Sequence, residues 1–338
     1  MTIPYRTRQI LKRTAIIVLI AALVLGILFA LWFFWLQRFV VYTKDGVVFD
    51  FSLSGTVNKG ELLQRPEEQP TIPIHYGDEG KIEADTELTQ MIGYYVDAEA
   101  LLDMAAVRSQ IQQLPSDTPV MVDVKDIYGS FFYSSTVGTQ KHANISAKDM
   151  DALIALLNER DLYSIARIPA LRDYAYGLNH VPDGLSVASG GYLWADEFYC
   201  YWLNPNSEGT INYLVQIISE LKNLGFDEVV LTDFHFPDTD EIAFKGDKQE
   251  ALATAANTLV TTCTTTTFAV SFVGQDTAFA LPEGRTRLYL EGITASEASS
   301  VAQQTGIADP AIHVAFLTDV HDTRFDEFSV LRPLAAAH

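Results

Sequence analysis

The 338-residue chain has only two cysteines, Cys200 and Cys263, and neither a CxxC pair nor a histidine-rich spacing among its seven histidines. That excludes a disulfide framework and the common structural zinc sites, so no metal and no cofactor are expected. Basic side chains are scarce too. Twenty-three Lys and Arg against 43 Asp and Glu leave a net charge of −20, which repels phosphate backbones and argues against nucleic acid as a partner. Apolar residues, by contrast, make up 48% and aromatics 11% of the chain, enough for a sizeable core and too much for disorder, collagen or a coiled coil.

The few basic residues are unevenly placed. Arg6, Arg8, Lys12 and Arg13 fall within residues 1–13, which hold no acid. Residues 15–36 then run for 22 positions without a charged or polar side chain. As a helix they would extend about 33 Å, the thickness of a hydrocarbon core. The run is too long for a signal-peptide core, and no small-residue cleavage site follows it. A single membrane-spanning helix is therefore expected over 14–37, with residues 1–13 as a cytoplasmic basic tail by the positive-inside bias. Trp32, Phe33, Phe34 and Trp35 would lie at the outer interface, and everything beyond would be extracytoplasmic.

Residues 38–53 contain FVVYTKDGVVFDF, two β-rich stretches around Asp45-Gly46, which predicts a hairpin beside the membrane. Residues 54–90 are rich in Glu, Gln, Pro and Gly and read as a solvated linker. From residue 91 to 338 short β-type runs alternate with helical patterns, the signature of βαβ units, over the length of a (β/α)8 TIM-type barrel. Seven strands are expected over 93–96, 120–124, 163–168, 229–233, 268–273, 288–293 and 312–317. The eighth is either 328–331 or 199–203. Met150, Leu153, Ile154 and Leu157 recur at helical spacing behind Ser146, and Ile211, Leu214, Val215, Ile218 and Leu221 do so ahead of Gly225. The second half leaves less room for helices, and an irregular closure is expected there.

In such a barrel chemistry gathers where strands end. The second strand ends in Asp123, Lys125 and Asp126, and Asp123 and Lys125, two apart, share a face. They read equally as an ion pair at the barrel mouth or as an acid and its tuner. Arg167, set among apolar residues in the third strand, needs a carboxylate partner, for which Asp123 and Asp233 are candidates. Trp194 and Trp202 lie in an aromatic-dense run and serve either as core material or as a platform for the C–H faces of a sugar. The fourth strand ends in Asp233 and His235. By alternation Val229, Leu231, Asp233 and His235 share one side, which puts Asp233 in the mouth if that side faces inward.

Four stretches, VMVDVKDIYGSFFYSS, LYSIARIPALRDY, WLNPNSEGTINY and GFDEVVLTDFHFP, in this order and spacing, resemble a family of glycoside-hydrolase-type TIM barrels on bacterial membrane-attached and secreted proteins. The likeness covers about residues 93–237. It implies a (β/α)8 barrel, carbohydrate as ligand and a bacterial cell-surface setting. The family's second-strand Asp and Lys match Asp123, Lys125 and Asp126, and its third-strand arginine matches Arg167. Its fourth-strand aspartate falls instead on Thr232 and its arginine on His235, so Asp233 comes one place late. A shift of one residue turns a strand side chain to the other face unless a bulge restores it.

The reading that follows is a membrane-anchored, extracytoplasmic barrel that hydrolyses a cell-wall or environmental polysaccharide. Asp233 is expected as one catalytic carboxylate and Glu291, on the sixth strand, or Asp126 as the other, because most glycosidases use a pair. Asp123, Lys125, Arg167, Trp194, Trp202 and His235 are expected to bind substrate, with Arg167 setting the ionisation of its neighbour. The alternatives are a catalytically inactive glycan-binding barrel and a scaffold for other envelope proteins.

Overall fold

A computed structural model describes Val24 and residues 40–43, 46–49, 88–274 and 280–334. The chain divides into two units, residues 1–80 and 81–338. In the first, Val40–Thr43 pairs antiparallel with Gly46–Phe49. The helix expected over 14–37 lies outside the described residues apart from Val24, and so does nearly all of the expected linker. Among the described residues no helix is long and apolar enough to cross a membrane.

The second unit is a closed barrel of eight strands: β1 (Ile92–Val96), β2 (Pro119–Asp123), β3 (Tyr163–Pro169), β4 (Glu228–Thr232), β5 (Ala269–Gly274), β6 (Leu288–Glu291), β7 (Val314–Leu317) and β8 (Ser329–Pro333). Each strand pairs in parallel with its neighbours in sequence, and β8 closes on β1. Strands such as Pro119-Val-Met-Val are continuous apolar runs because both of their faces are covered. Of the two candidates for the eighth strand, the later one closes the barrel. Residues 199–203 instead make isolated bridges within the long β3–β4 excursion, Ala195 with Tyr201, Arg172 with Trp202 and Gly184 with Leu203.

Helices α1 (Met104–Ile111), α2 (Ala147–Glu159), α3 (Tyr174–Asn179), α4 (Glu208–Asn223), α5 (Lys248–Cys263), α6 (Ala298–Gln304) and α7 (Pro310–His313) accompany the barrel. Ser146 caps α2 by accepting from the Asp149 amide. Gly225, at φ 93°, ends α4 in the left-handed region that favours glycine. On α4, Leu214, Ile217, Ile218 and Leu221 are fully buried, each side chain contributing about 1.5–3 kcal/mol over an exposed one. The second half is thinner, as expected: the described part of the β5–β6 connection holds no helix, and α6 and α7 have seven and four residues.

Two apolar layers fix which way each strand faces. Met121, Ile165, Val230, Tyr289 and Leu331 pack with one another inside the barrel, whereas Val122, Ala166, Val229 and Leu231 pack against the helices. At the amino end of the barrel Glu228 is fully buried and accepts from Arg287 Nη1 (2.5 Å), Tyr163 Oη (2.8 Å) and Tyr289 Oη (2.9 Å). The barrel unit extends upstream of β1: Leu88 is buried, and Gln90 Nε2 donates to the Asp326 and Phe328 carbonyls.

Candidate active site

Two residues above the inner layer on β2, β3, β4 and β6, alternation brings Asp123, Arg167, Thr232 and Glu291 to the mouth at the carboxyl ends of the strands. There they line a cleft of about 750 Å³, together with Asp126, Asp233 and His235. A cleft of this size suits a ligand of several rings.

Arg167 organises one wall. Its Nε and Nη2 donate to the two Asp123 carboxylate oxygens at 2.5 and 3.1 Å, and its Nη1 donates to Glu291 Oε1 at 3.2 Å. Burial alone works against the guanidinium charge, but the hydrogen bond and charge of Asp123, with Glu291 behind them, raise the Arg167 pKa above its ordinary value. Asp123 also accepts from the Ala98 amide at 3.0 Å, so it is fixed from two sides. Of the two partners considered for Arg167, Asp123 takes the position and Asp233 does not. Glu291, half exposed, is the more accessible of the two paired acids.

The neighbouring strand, β4, brings a correction. The expected shared side of Val229, Leu231 and Asp233 faces the helices, and Val230 and Thr232 face the barrel. Asp233 still lines the cleft because it leaves the strand at φ 50°, in the left-handed region, which reverses the direction that alternation would give it. No bulge within β4 is required. Aspartate is among the residues that tolerate this conformation, although it is less favourable there than glycine. Thr232 Oγ1 donates to Asp233 Oδ2 at 3.1 Å, and Arg172 Nη1 stands 3.7 Å from Asp233 Oδ1.

Arg172 is a residue that sequence reasoning did not single out. Its Nη2 lies 2.5 Å from Asp196 Oδ2, and its guanidinium packs over the rings of Phe198 and Trp202, 4.9 and 5.6 Å from their centroids. Asp196 also accepts from the Phe198 and Cys200 amides and from Trp202 Nε1. Burial alone would raise its carboxyl pKa, but these hydrogen bonds and Arg172 lower it. The only sequence signal for Arg172 was its place in LRDY, just beyond the strand that carries Arg167.

Three other candidates have structural duties. Lys125 pairs with Asp173, not with Asp123, at 2.7 Å, both side chains being fully buried, and Asp173 also accepts from Tyr213 Oη and the Tyr176 amide. Asp126 lines the cleft, but its Oδ1 accepts from the Tyr128 and Ser130 amides and so shapes the turn after β2. His235 lines the cleft with Nδ1 on the Phe236 carbonyl at 2.8 Å and its ring 4.9 Å from that of Trp202.

The expected aromatic platform is corrected. Trp202 is buried behind His235, and Trp194 Nε1 is bonded to Glu241 Oε2; neither lines the cleft. The exposed rings of the excursion are instead Tyr192, Phe198 and Tyr199. Both cysteines are buried and unpaired. Among the described residues no group of three His, Cys, Asp or Glu side chains is arranged to hold a metal ion.

No curated protein matches the chain. Among solved structures, a GH36 alpha-galactosidase of Geobacillus stearothermophilus superposes with a TM-score of 0.51 at 11% identity, over 73% of this chain and 39% of the galactosidase. The glycoside hydrolase domain of PelA from Pseudomonas aeruginosa gives a TM-score of 0.43 at 11% identity, over 72% of this chain and 95% of that domain. A hypothetical protein from Ruminiclostridium thermocellum gives 0.45 at 18% identity, over 53% of this chain and 96% of that one. The galactosidase likeness, at 11% identity, is one of fold alone, and this chain spans less than half the length of that protein. The family model described as "Putative glycosyl hydrolase domain" matches residues 93–272, more than half the sequence, and the chain belongs to that family.

Proposed function

We propose that the barrel hydrolyses O-glycosidic bonds of a cell-wall or environmental polysaccharide, with Asp233 and Glu291 as its two carboxylates. The observation that carries this reading is the conformation of Asp233: a non-glycine residue held at φ 50° so that its carboxylate faces the same cleft as Glu291. Unfavourable backbone conformations persist where surrounding structure enforces them, and they cluster at functional sites. In this reading one carboxyl protonates the leaving oxygen, and the other attacks the anomeric carbon or activates water. Arg167 orients Glu291, and His235 and Asp123 contribute to the binding surface. Asp126 is the reserve candidate for the second acid, limited by its duty in the turn.

Membrane anchoring belongs to the same proposal. It is supported by the uncharged run of residues 15–36 behind a basic tail, which makes the barrel extracytoplasmic by the positive-inside bias. The net charge of −20 favours neutral or cationic glycans over anionic ones.

The test is glycan hydrolysis by the full chain against its Asp233→Asn and Glu291→Gln variants. Cleavage that both variants abolish while glycan binding persists supports the proposal. A second reading, a glycan-binding barrel without catalysis, is favoured by the pairing of Glu291 with Arg167 and the approach of Arg172 to Asp233. Retention of wall glycan by the wild type with no product released would establish it instead.

A further inference from the structure

The cleft does not end at His235. His235, Val273 and Gly274 border both the main cleft and a second lobe of about 270 Å³. The lobe is about a third the volume of the main cleft, room on the order of one sugar ring. His235 stands between the two lobes, braced by its Nδ1 contact with the Phe236 carbonyl and by the Trp202 ring.

The walls of the second lobe have a definite chemistry. Phe236 supplies a ring, with Lys248 Nζ 5.6 Å from its centroid, and Asp238, Lys248 and Gln249 supply a carboxylate, an ammonium and an amide. The Phe236 ring is covered by Lys248 and packs against Phe244, 4.6 Å between centroids, so a pyranose matches the lobe through its rim of hydroxyls, which the carboxylate, ammonium and amide can bond. Lys248 and Gln249 open α5, whose first turn is fixed by Asp247 accepting from the Gln249 and Glu250 amides. The two side chains therefore project from a rigid element. Both are exposed, so neither is needed to fill the core.

We infer that the mouth is a two-lobed groove in which the second lobe is a distal sugar subsite. The substrate is then an oligosaccharide or polymer whose chain crosses His235, not a single terminal sugar held in a closed pocket. For the nature of the ligand this rests on the hydrolase reading. For the division into two lobes it rests on geometry alone.

The experiment is a titration of the full chain with β-1,4-linked gluco-, manno- and N-acetylglucosamine oligosaccharides of one to six units, repeated with Gln249→Trp and Lys248→Ala. At least one series is expected to bind about tenfold more tightly once it is long enough to enter both lobes. Gln249→Trp, which fills the lobe, should erase that gain while monosaccharide affinity is kept, and Lys248→Ala should reduce it severalfold. A length-dependent gain that survives both variants overturns the distal subsite and leaves the hydrolase reading standing. Absence of binding by all three series, together with absence of hydrolysis, overturns both.

Discussion

Arg172 joins the cleft to the loop behind it: Nη1 lies 3.7 Å from Asp233 Oδ1, while Nη2 lies 2.5 Å from Asp196 Oδ2. The closer contact is the structural one, and Asp196 also ties down the backbone through Phe198 and Cys200. The folded Asp196 carboxyl has a lowered pKa, so the stability it contributes is present above the unfolded value near 4 and is lost as pH falls through the folded value. Asp196→Asn keeps the shape and removes the titration. Its urea midpoint is expected to lie below that of the wild type at pH 7 and to decline less between pH 5 and pH 3. Parallel declines in the two proteins would show that Asp196 is not a source of the acid sensitivity.

Asp233 separates conformation from chemistry. Glycine adopts φ 50° without steric cost, so Asp233→Gly should be neutral to about 1 kcal/mol more stable, despite the lost Thr232 hydrogen bond. Asp233→Ala keeps the left-handed requirement and should be about 1 kcal/mol less stable than Asp233→Gly. Both should lose hydrolysis by a factor on the order of 10² to 10⁴, the contribution of a positioned acid or base. Chemical denaturation and initial rates on the same preparations check this pair of outcomes. Hydrolysis surviving in Asp233→Gly would remove Asp233 from the mechanism.

The contrast between Thr232 and Asp233 marks how far the sequence could be read. Apolar runs bounded by turns located the strands, and local signals such as Ser146 and Gly225 located helix ends, because caps and periodicity act over a few residues. The inward face of β4 was not legible in that way. Both of its faces are buried, so Val229-Val-Leu carries no alternation to say which side meets the helices, and a single left-handed residue then redirected the acid. Ion-pair partners were illegible for another reason. Arg167 and Lys125 each had several acids in reach by topology, and only packing decided that Lys125 goes to Asp173, 48 positions away. The aromatic-dense run was illegible too, because composition does not say which rings turn in: Trp202 is buried and Trp194 half-buried, while Tyr192 and Tyr199 are exposed.

At the amino end of the barrel, Glu228 and Arg287 form a pair at 2.5 Å, with exposures of 0% and 2%. Removing one partner of such a pair leaves the other charge buried, at a cost of about 3–5 kcal/mol. Arg287→Met should therefore destabilise strongly. Glu228→Leu combined with Arg287→Met should recover much of the loss, because an apolar pair leaves no uncompensated charge. Tyr163 and Tyr289 limit the recovery, since both donate to Glu228 and would lose their acceptor. Urea midpoints of the two singles and the double measure the coupling. Strictly additive losses would show that the two charges do not compensate each other.

Cys200 tests whether the loop around Asp196 stays closed in solution. Its thiol is fully buried, and burial, with the Asp196 charge adding to it, pushes its pKa up to about 11. The thiolate is the reactive form, so at pH 8 both access and ionisation oppose alkylation. In the native chain iodoacetamide should leave Cys200 unmodified over hours while modifying it within minutes in 6 M urea, as read by mass spectrometry of the peptide. Because Asp196 accepts from the Cys200 amide and pairs with Arg172, Arg172→Ala should open the loop and speed native-state alkylation at least tenfold. An unchanged rate in Arg172→Ala would mean that packing of Trp202 and Leu203, and not the ion pair, holds the loop shut.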